Sequence, residues 1–227
     1  MTKILRLIPC YTFGMDHSYQ TSDSYFRQRH FDFYRHNPNP FYAVTFELEV
    51  GPLKTFSKQH QQSIYLNMCY LFTQAMQEIP AFRYRLLEDR LILYNQLHPS
   101  MIVPLDDGTY CFARPSYAEN LFAFHQTAEP AIAHAKQTRN LDNPEHGNFV
   151  FFTSLPKIAF TGLTHVSPPR TTDGEPQISF GKFFTRDQRQ WVPVGIGVNH
   201  LFIDGQALSE MVGRTEELFF NPMSPGP

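Results

Sequence analysis

The sequence is poor in cysteine: Cys10, Cys69 and Cys111 are its three, too scattered for a disulfide framework or a zinc site. It has no run of Lys or Arg, and a formal net charge of −2 leaves no electrostatic footprint for a nucleic acid. No apolar stretch approaches the roughly 20 residues that cross a bilayer, and the opening MTKILRLIPCYTF is too short and too interrupted for a signal peptide. A G-x-S-x-G elbow is missing, which leaves a cysteine- or serine-hydrolase reading little support, and the histidines other than His200 show no metal-ligand spacing. Repeats, low-complexity tracts and linkers are also lacking. These absences predict a single cytoplasmic domain over residues 1–227, without a metal, a nucleic-acid partner or a membrane partner.

Aromatic residues, by contrast, are plentiful at 15%, led by 22 Phe, enough for one large core. Residues 42–50 alternate, with Tyr42, Val44, Phe46, Leu48 and Val50 on one face, and predict a strand with one buried side. A three- and four-residue rhythm from Tyr65 to Ile79 predicts a helix over 56–78, stopped by Pro80. A hairpin is predicted over 82–96 turning near Glu88-Asp89, short strands over 101–113 broken at Asp107-Gly108, and a helix over 116–137. Strands are predicted at 148–153, 177–184 and 191–198, a turn-rich excursion at 165–176, and an amphipathic helix at 205–220. Helices and strands mixed without strict alternation indicate an α+β fold with a mixed sheet.

The segment WVPVGIGVNHLFIDGQALSE, residues 191–210, carries the chemistry. Val192, Val194, Ile196 and Val198 alternate with Pro193, Gly195 and Gly197, so a strand leads up to Asn199-His200. Its glycines leave one face bare for close approach by another segment. His200 and Asp204-Gly205 then form H-x-x-x-D-G at a strand-to-helix junction, where functional residues gather. Gly205 is expected to supply a tight turn. Alone, this pattern is loose, and a lone histidine is more often structural.

Two further segments change that. In FRQRHFDFYRH, residues 26–36, Arg27, His30, Phe31, Phe33 and Tyr34 follow a pattern similar to that of the chloramphenicol acetyltransferases. FFTSLPKIAFTGL, residues 151–163, resembles that family's strand ending in a serine shortly before a proline, with Thr153 at the serine position. Thr153 precedes His200 by 200 − 153 = 47 residues, the family's spacing. The resemblance spans about residues 25 to 220 and leaves 1–24 as an N-terminal extension.

The resemblance implies a two-layer α/β sandwich with a mixed β-sheet, and a homotrimer with active sites between subunits. It implies transfer of an acetyl group from acetyl-CoA to a hydroxyl of chloramphenicol in a ternary complex, with His200 as general base. Thr153 would donate to the oxyanion, and Asp204 would pair with Arg27 to hold the histidine loop. If buried, such a pair costs roughly 3–5 kcal/mol to break. Ser179, 21 residues before His200, matches a family threonine that positions a water near the oxyanion. Phe33, Tyr34 and Tyr42 fall in the acceptor region and Lys182 near the phosphates of the coenzyme. Asn199 departs from the family, which has a second histidine there, and Gln206-Ala207 replace an aromatic and a histidine. Two other readings stay open: a different hydroxyl acceptor, or a ligand-binding homologue without catalysis. The acyltransferase core of 2-oxo-acid dehydrogenase complexes also carries H-x-x-x-D-G, but the Arg27–Tyr34 segment and the absence of a lipoyl domain weigh against it.

Overall fold

Period-two alternation in the longest strand organises the protein. The computed structural model describes residues 15–22, 25–141, 147–166 and 174–224. In chain order the elements are β1 (Tyr19–Thr21), α1 (Gln28–Tyr34), β2 (Phe41–Glu49), α2 (Gly51–Gln59), α3 (Ile64–Glu78), β3 (Tyr84–Leu87) and β4 (Arg90–Tyr94). There follow β5 (His98–Pro104), β6 (Tyr110–Ala113), α4 (Leu121–Thr138), β7 (Phe149–Ser154), β8 (Gln177–Phe180), β9 (Phe184–Arg186), β10 (Arg189–Asn199) and α5 (Gly205–Phe220).

The main sheet runs β2-β10-β8-β7-β5-β6, with β9 pairing the start of β10. β7 lies parallel to β5 and β8; the other pairings are antiparallel, so the sheet is mixed. Val192, Val194, Ile196 and Val198 of β10 are buried in one core with Phe72 and Met76 of α3 and Met211 and Leu218 of α5. Helices over one face of a mixed sheet give the expected two-layer α/β sandwich. A second, small sheet, β1-β4-β3, stands beside it.

Several boundaries differ from the sequence expectations, each for a local reason. The helix expected over 56–78 is two helices. Pro52 opens α2, where a missing amide costs nothing, Gln61 turns left-handed at φ 54°, and the Ser63 side chain caps α3 by accepting from the Leu66 amide. The strand expected over 177–184 divides at Gly181, where a Cβ would lie 2.5 Å from Pro193 Cγ and 2.9 Å from the Ile158 carbonyl oxygen. The helix expected from 116 starts at Leu121 because Asn120 caps it, accepting from the Ala123 amide at 2.9 Å. Glu88 and Asp89 turn the β3–β4 hairpin with φ of 49° and 60°, as two-residue hairpin loops require. Part of the expected N-terminal extension is structural: Tyr19–Thr21 pair with Tyr94–Ile92 as β1. Residues 1–14 and 23–24, and residues 167–173 of the expected excursion, lie outside the described residues. Among the described residues no helix is long and apolar enough to cross a membrane.

Candidate active site

β10 serves the site with both its bare face and its end. On the face opposite its valines, a Cβ on Gly195 would lie 3.1 Å from Leu163, and one on Gly197 would lie 3.0 Å from Nδ1 of His165. The chain after β7 therefore crosses over this face, as the glycines led one to expect, and the Leu163 amide anchors it by donating to Thr45 Oγ1 at 3.2 Å.

Beyond Asn199 the strand ends in a tight junction. The Leu201 amide donates to Asn199 Oδ1 at 2.8 Å, and the Phe202 and Ile203 amides donate to the Asn199 carbonyl at 3.2 and 3.0 Å. The departure from a second histidine thus has a structural use here: the Asn side chain builds the turn that presents His200. The His200 amide donates to the Pro40 carbonyl at 2.8 Å, and Tyr25 Oη donates to the Phe202 carbonyl at 2.6 Å. Gly205 does not make the expected tight turn. It is the first residue of α5, has no positive φ, and a Cβ there would meet nothing within 4 Å.

Asp204 is instead the pivot of the junction. Its side chain caps α5, accepting from the Ala207 amide at 2.9 Å, and pairs with Arg27 at 2.6 Å. Burial opposes its ionisation, but the Ala207 amide and the Arg27 guanidinium outweigh that and hold the carboxyl below its ordinary value. The His200 ring stacks on Tyr34, with centroids 4.1 Å apart and planes 14° from parallel, and tilts against Tyr42 at 5.0 Å. Its Nδ1 is buried without a partner among the described residues. Tyr42 donates to the Ile203 carbonyl at 3.4 Å, and burial, then the Asp204 charge, pushes its hydroxyl up to about 12. Phe33 meets Tyr34 edge to face and is 74% exposed.

Thr153 and Ser179 lie elsewhere. They face each other across β7 and β8, and Ser179 faces Gly195 of β10, so the three form one row across the sheet. Phe152 and Ile178 point into the core, which turns Thr153 and Ser179 to the opposite, glycine-bearing face. Ser179 is buried and its Oγ is 2.9 Å from Nε2 of His165. Lys182 is exposed just past β8, its amide donating to the Ile158 carbonyl at 2.8 Å.

The structure therefore brings together Arg27, Phe33, Tyr34, Tyr42, His200 and Asp204 at one end of the sheet, whereas Thr153 and Ser179 lie in the Gly195 row at mid-sheet and Lys182 lies past the far end of β8. From the Gly195 row to His200 is five residues of strand, roughly 17 Å at ~3.3 Å per residue. Sequence reasoning missed Tyr25, Pro40 and His165. Tyr25 and Pro40 act through backbone carbonyls and carry no motif; His165 sits in a stretch where only its neighbours' bareness, Gly195 and Gly197, signals that something must cross. Among the described residues no group of His, Cys, Asp and Glu could hold a metal ion.

The chain matches the family model described as chloramphenicol acetyltransferase over residues 15–216. It is 27% identical over 196 residues to the chloramphenicol acetyltransferase of Bacillus pumilus, covering 85% of this chain and 89% of that protein. To that of Streptomyces acrimycini it is 26% identical, covering 88% and 93%. A solved chloramphenicol acetyltransferase structure superposes with a TM-score of 0.80 at 27% identity, over 90% of this chain and all of that one. The cubic core of the pyruvate dehydrogenase multienzyme complex shares the fold, with a TM-score of 0.65 at 16% identity over 86% of each chain.

Proposed function

The chain belongs to the chloramphenicol acetyltransferase family of acyltransferases, and from that premise we propose that it transfers an acetyl group from acetyl-CoA to a hydroxyl, chloramphenicol being the first acceptor to test. The observation that supports this best is the mounting of His200. Its ring is clamped by Tyr34 and Tyr42, and its junction is fixed by Arg27, Asp204, Tyr25 and Pro40. A structural histidine needs no such open mount, whereas a base that must meet a hydroxyl at hydrogen-bond distance does.

In this reading His200 Nε2 takes the proton of the acceptor hydroxyl as its oxygen attacks the thioester carbonyl. Thr153 Oγ1 donates to the oxyanion of the tetrahedral intermediate, a contact whose loss costs about 10²–10³ in rate. The carbon–sulfur bond then breaks, and the imidazolium returns its proton to the departing thiolate. The Asp204 carboxylate positions the junction and takes no proton from His200. Phe33 and Tyr34 give the acceptor apolar ring surface, and Lys182 faces the phosphates of the coenzyme. A cytoplasmic location follows from that cosubstrate.

Because the row that holds Thr153 stands five residues of strand away from His200, we further propose that each site forms between two copies in a closed ring, His200 from one and Thr153 from the next, as in a homotrimer. Closed cyclic symmetry lets the same two half-sites meet at every interface. The test has two parts. Release of free coenzyme A from acetyl-CoA should require both chloramphenicol and His200, vanishing in His200→Ala; release with neither dependence overturns the reading. Co-refolding His200→Ala with Thr153→Ala should then restore about a quarter of wild-type activity, since random assembly pairs two intact halves at one site in four. No recovery would place the site within one chain.

A further inference from the structure

Resting on the acyl-transfer reading, we propose that His165 is a positioning residue of the oxyanion side of the site, fixing the Ser179 hydroxyl as a hydrogen-bond donor beside Thr153. Nothing in the family motifs points to this histidine; the geometry does. His165 lies on the segment that crosses the bare face of β10, with its ring seated against Gly197. Its Nε2 is 2.9 Å from Ser179 Oγ. Ser179 is itself directly opposite Thr153 in the parallel β7–β8 pair, on the same face and one strand spacing away, about 4.8 Å.

The direction of the His165–Ser179 hydrogen bond decides what Ser179 can do. Burial lowers the pKa of the His165 ring, so it is neutral at pH 7 and one nitrogen carries the proton. Nδ1 is buried and has no partner among the described residues. A buried N–H without an acceptor is rarer and more costly than an acceptor with an unused lone pair. The proton therefore belongs on Nε2, and Nε2–H donates to Ser179 Oγ. With its acceptor side engaged, the serine hydroxyl is left to donate its own hydrogen, with Thr153 as its neighbour in the same row. The opposite tautomer would draw the serine hydrogen to His165 and present a lone pair where negative charge develops. A chain of two donors, each polarised by the one behind it, is stronger than either alone, and it comes pre-oriented, which is what an oxyanion site requires.

Two readouts test this. The first needs no turnover. In histidine labelled with ¹⁵N, long-range proton–nitrogen correlations report the tautomer of each ring, and the His165 signals are identified by their loss in His165→Gln. The Nε2–H form is expected; the Nδ1–H form overturns the proposal even in a fully active enzyme. The second is kinetic. His165→Phe should lower kcat about tenfold with KM little changed, the mark of an interaction made in the transition state. His165→Gln, which keeps an N–H donor, should recover most of that loss. In a Ser179→Ala background His165→Phe should cost nothing further, because its effect runs through that hydroxyl. An equal loss in both backgrounds, or a fall in Tm with kcat unchanged, makes His165 a packing residue and overturns the proposal. If wild type releases no coenzyme A with any alcohol, the acyl-transfer reading fails and the catalytic role of His165 with it, whereas an active wild type with the wrong tautomer refutes the His165 proposal alone.

Discussion

Replacing Asp204 by Asn and by Ala separates two contributions that one carboxylate makes. Asn caps a helix about as well as Asp, so Asp204→Asn keeps the bond from the Ala207 amide and removes the charge that meets Arg27 at 2.6 Å. The pair is half-buried: 18% of the Arg27 side chain and 30% of the Asp204 side chain remain exposed. Its worth therefore falls between that of exposed pairs and buried ones, about 1–2 kcal/mol, and below the 3–5 kcal/mol of a fully buried pair. Asp204→Ala loses the cap as well, a further ~1 kcal/mol. Urea denaturation at pH 7 should thus rank wild type above Asp204→Asn by about 1–2 kcal/mol and above Asp204→Ala by about 2–3 kcal/mol. The cycle with Arg27→Met should show that the Asn change costs almost nothing once the arginine is gone. The sign with pH is fixed by the lowered carboxyl. Its stabilisation is fully present above the unfolded value of 3.8 and disappears as pH falls through the lower folded value, so wild type and Asp204→Asn converge in that acid range. Activity should fall in both variants, since a small displacement of His200 suffices to slow transfer. Equal stability of Asp204→Asn and Asp204→Ala, or an undiminished cost of Asp204→Asn beside Arg27→Met, would refute the argument.

Thr153→Ala should lower kcat about 10²-fold, while Ser154→Ala, whose side chain alternates to the other face of β7, should stay within a few-fold; the reverse order in a coenzyme A release assay would move the oxyanion donor by one residue. His98 is fully buried, accepting from the Tyr117 amide and bonding the Asp16 carbonyl, and burial depresses it from 6.5 to about 4. Below pH 6.5 the unfolded chain takes this proton more readily than the folded one. Wild type should therefore lose about 2–3 kcal/mol of stability between pH 7 and 4.5, a slope that His98→Gln should flatten in pH-dependent urea melts. Gly197→Ala would push a Cβ to 3.0 Å from His165, and should cost about 1–3 kcal/mol by overpacking, measured as a lowered Tm, together with a loss of kcat that Gly213→Ala, with open space around its Cβ, does not show.

Much of the fold was legible because alternation and helical rhythm report burial directly. β10 and α5 read correctly to within two residues at each end, since Val192 to Val198 and Ala207 to Leu218 each show one clean period. Where the reading failed, a local residue overrode the period. Ser63 restarts a helix inside a continuous apolar rhythm, and Gly181 ends a strand because a neighbouring proline leaves no room for a side chain. His200, Asp204 and Arg27 were legible as a set only through the resemblance to the acetyltransferases, since H-x-x-x-D-G alone is loose; of that set the structure bears out the Arg27–Asp204 pair. The mount around His200 was less legible. Tyr25 and Pro40 reach it through a hydroxyl and a carbonyl that any loop could provide, and the Tyr34 ring declares its partner only when α1 folds back on the end of β10.

The division of the site follows from the direction of the strands. β7 and β8 run parallel and set Thr153 and Ser179 in one row with Gly195, whereas β10 runs antiparallel to β8 and carries His200 five residues beyond that row. Loop adjustment alone does not close that gap, because sliding β10 along its neighbours would carry its valines out of the core. The proposed assembly would instead join two half-sites, each rigid before the other arrives. The junction at His200 is pinned by an ion pair, a helix cap and two carbonyl contacts, and the row at Thr153 is roofed by a segment held to Thr45 and Ser179. Rigid halves suit a site completed by association, since little further ordering is then required when the reacting groups meet. The same economy explains the composition of β10: branched residues on the face that carries the core, glycines on the face that carries the roof, and asparagine and histidine where the strand stops and the junction to α5 begins.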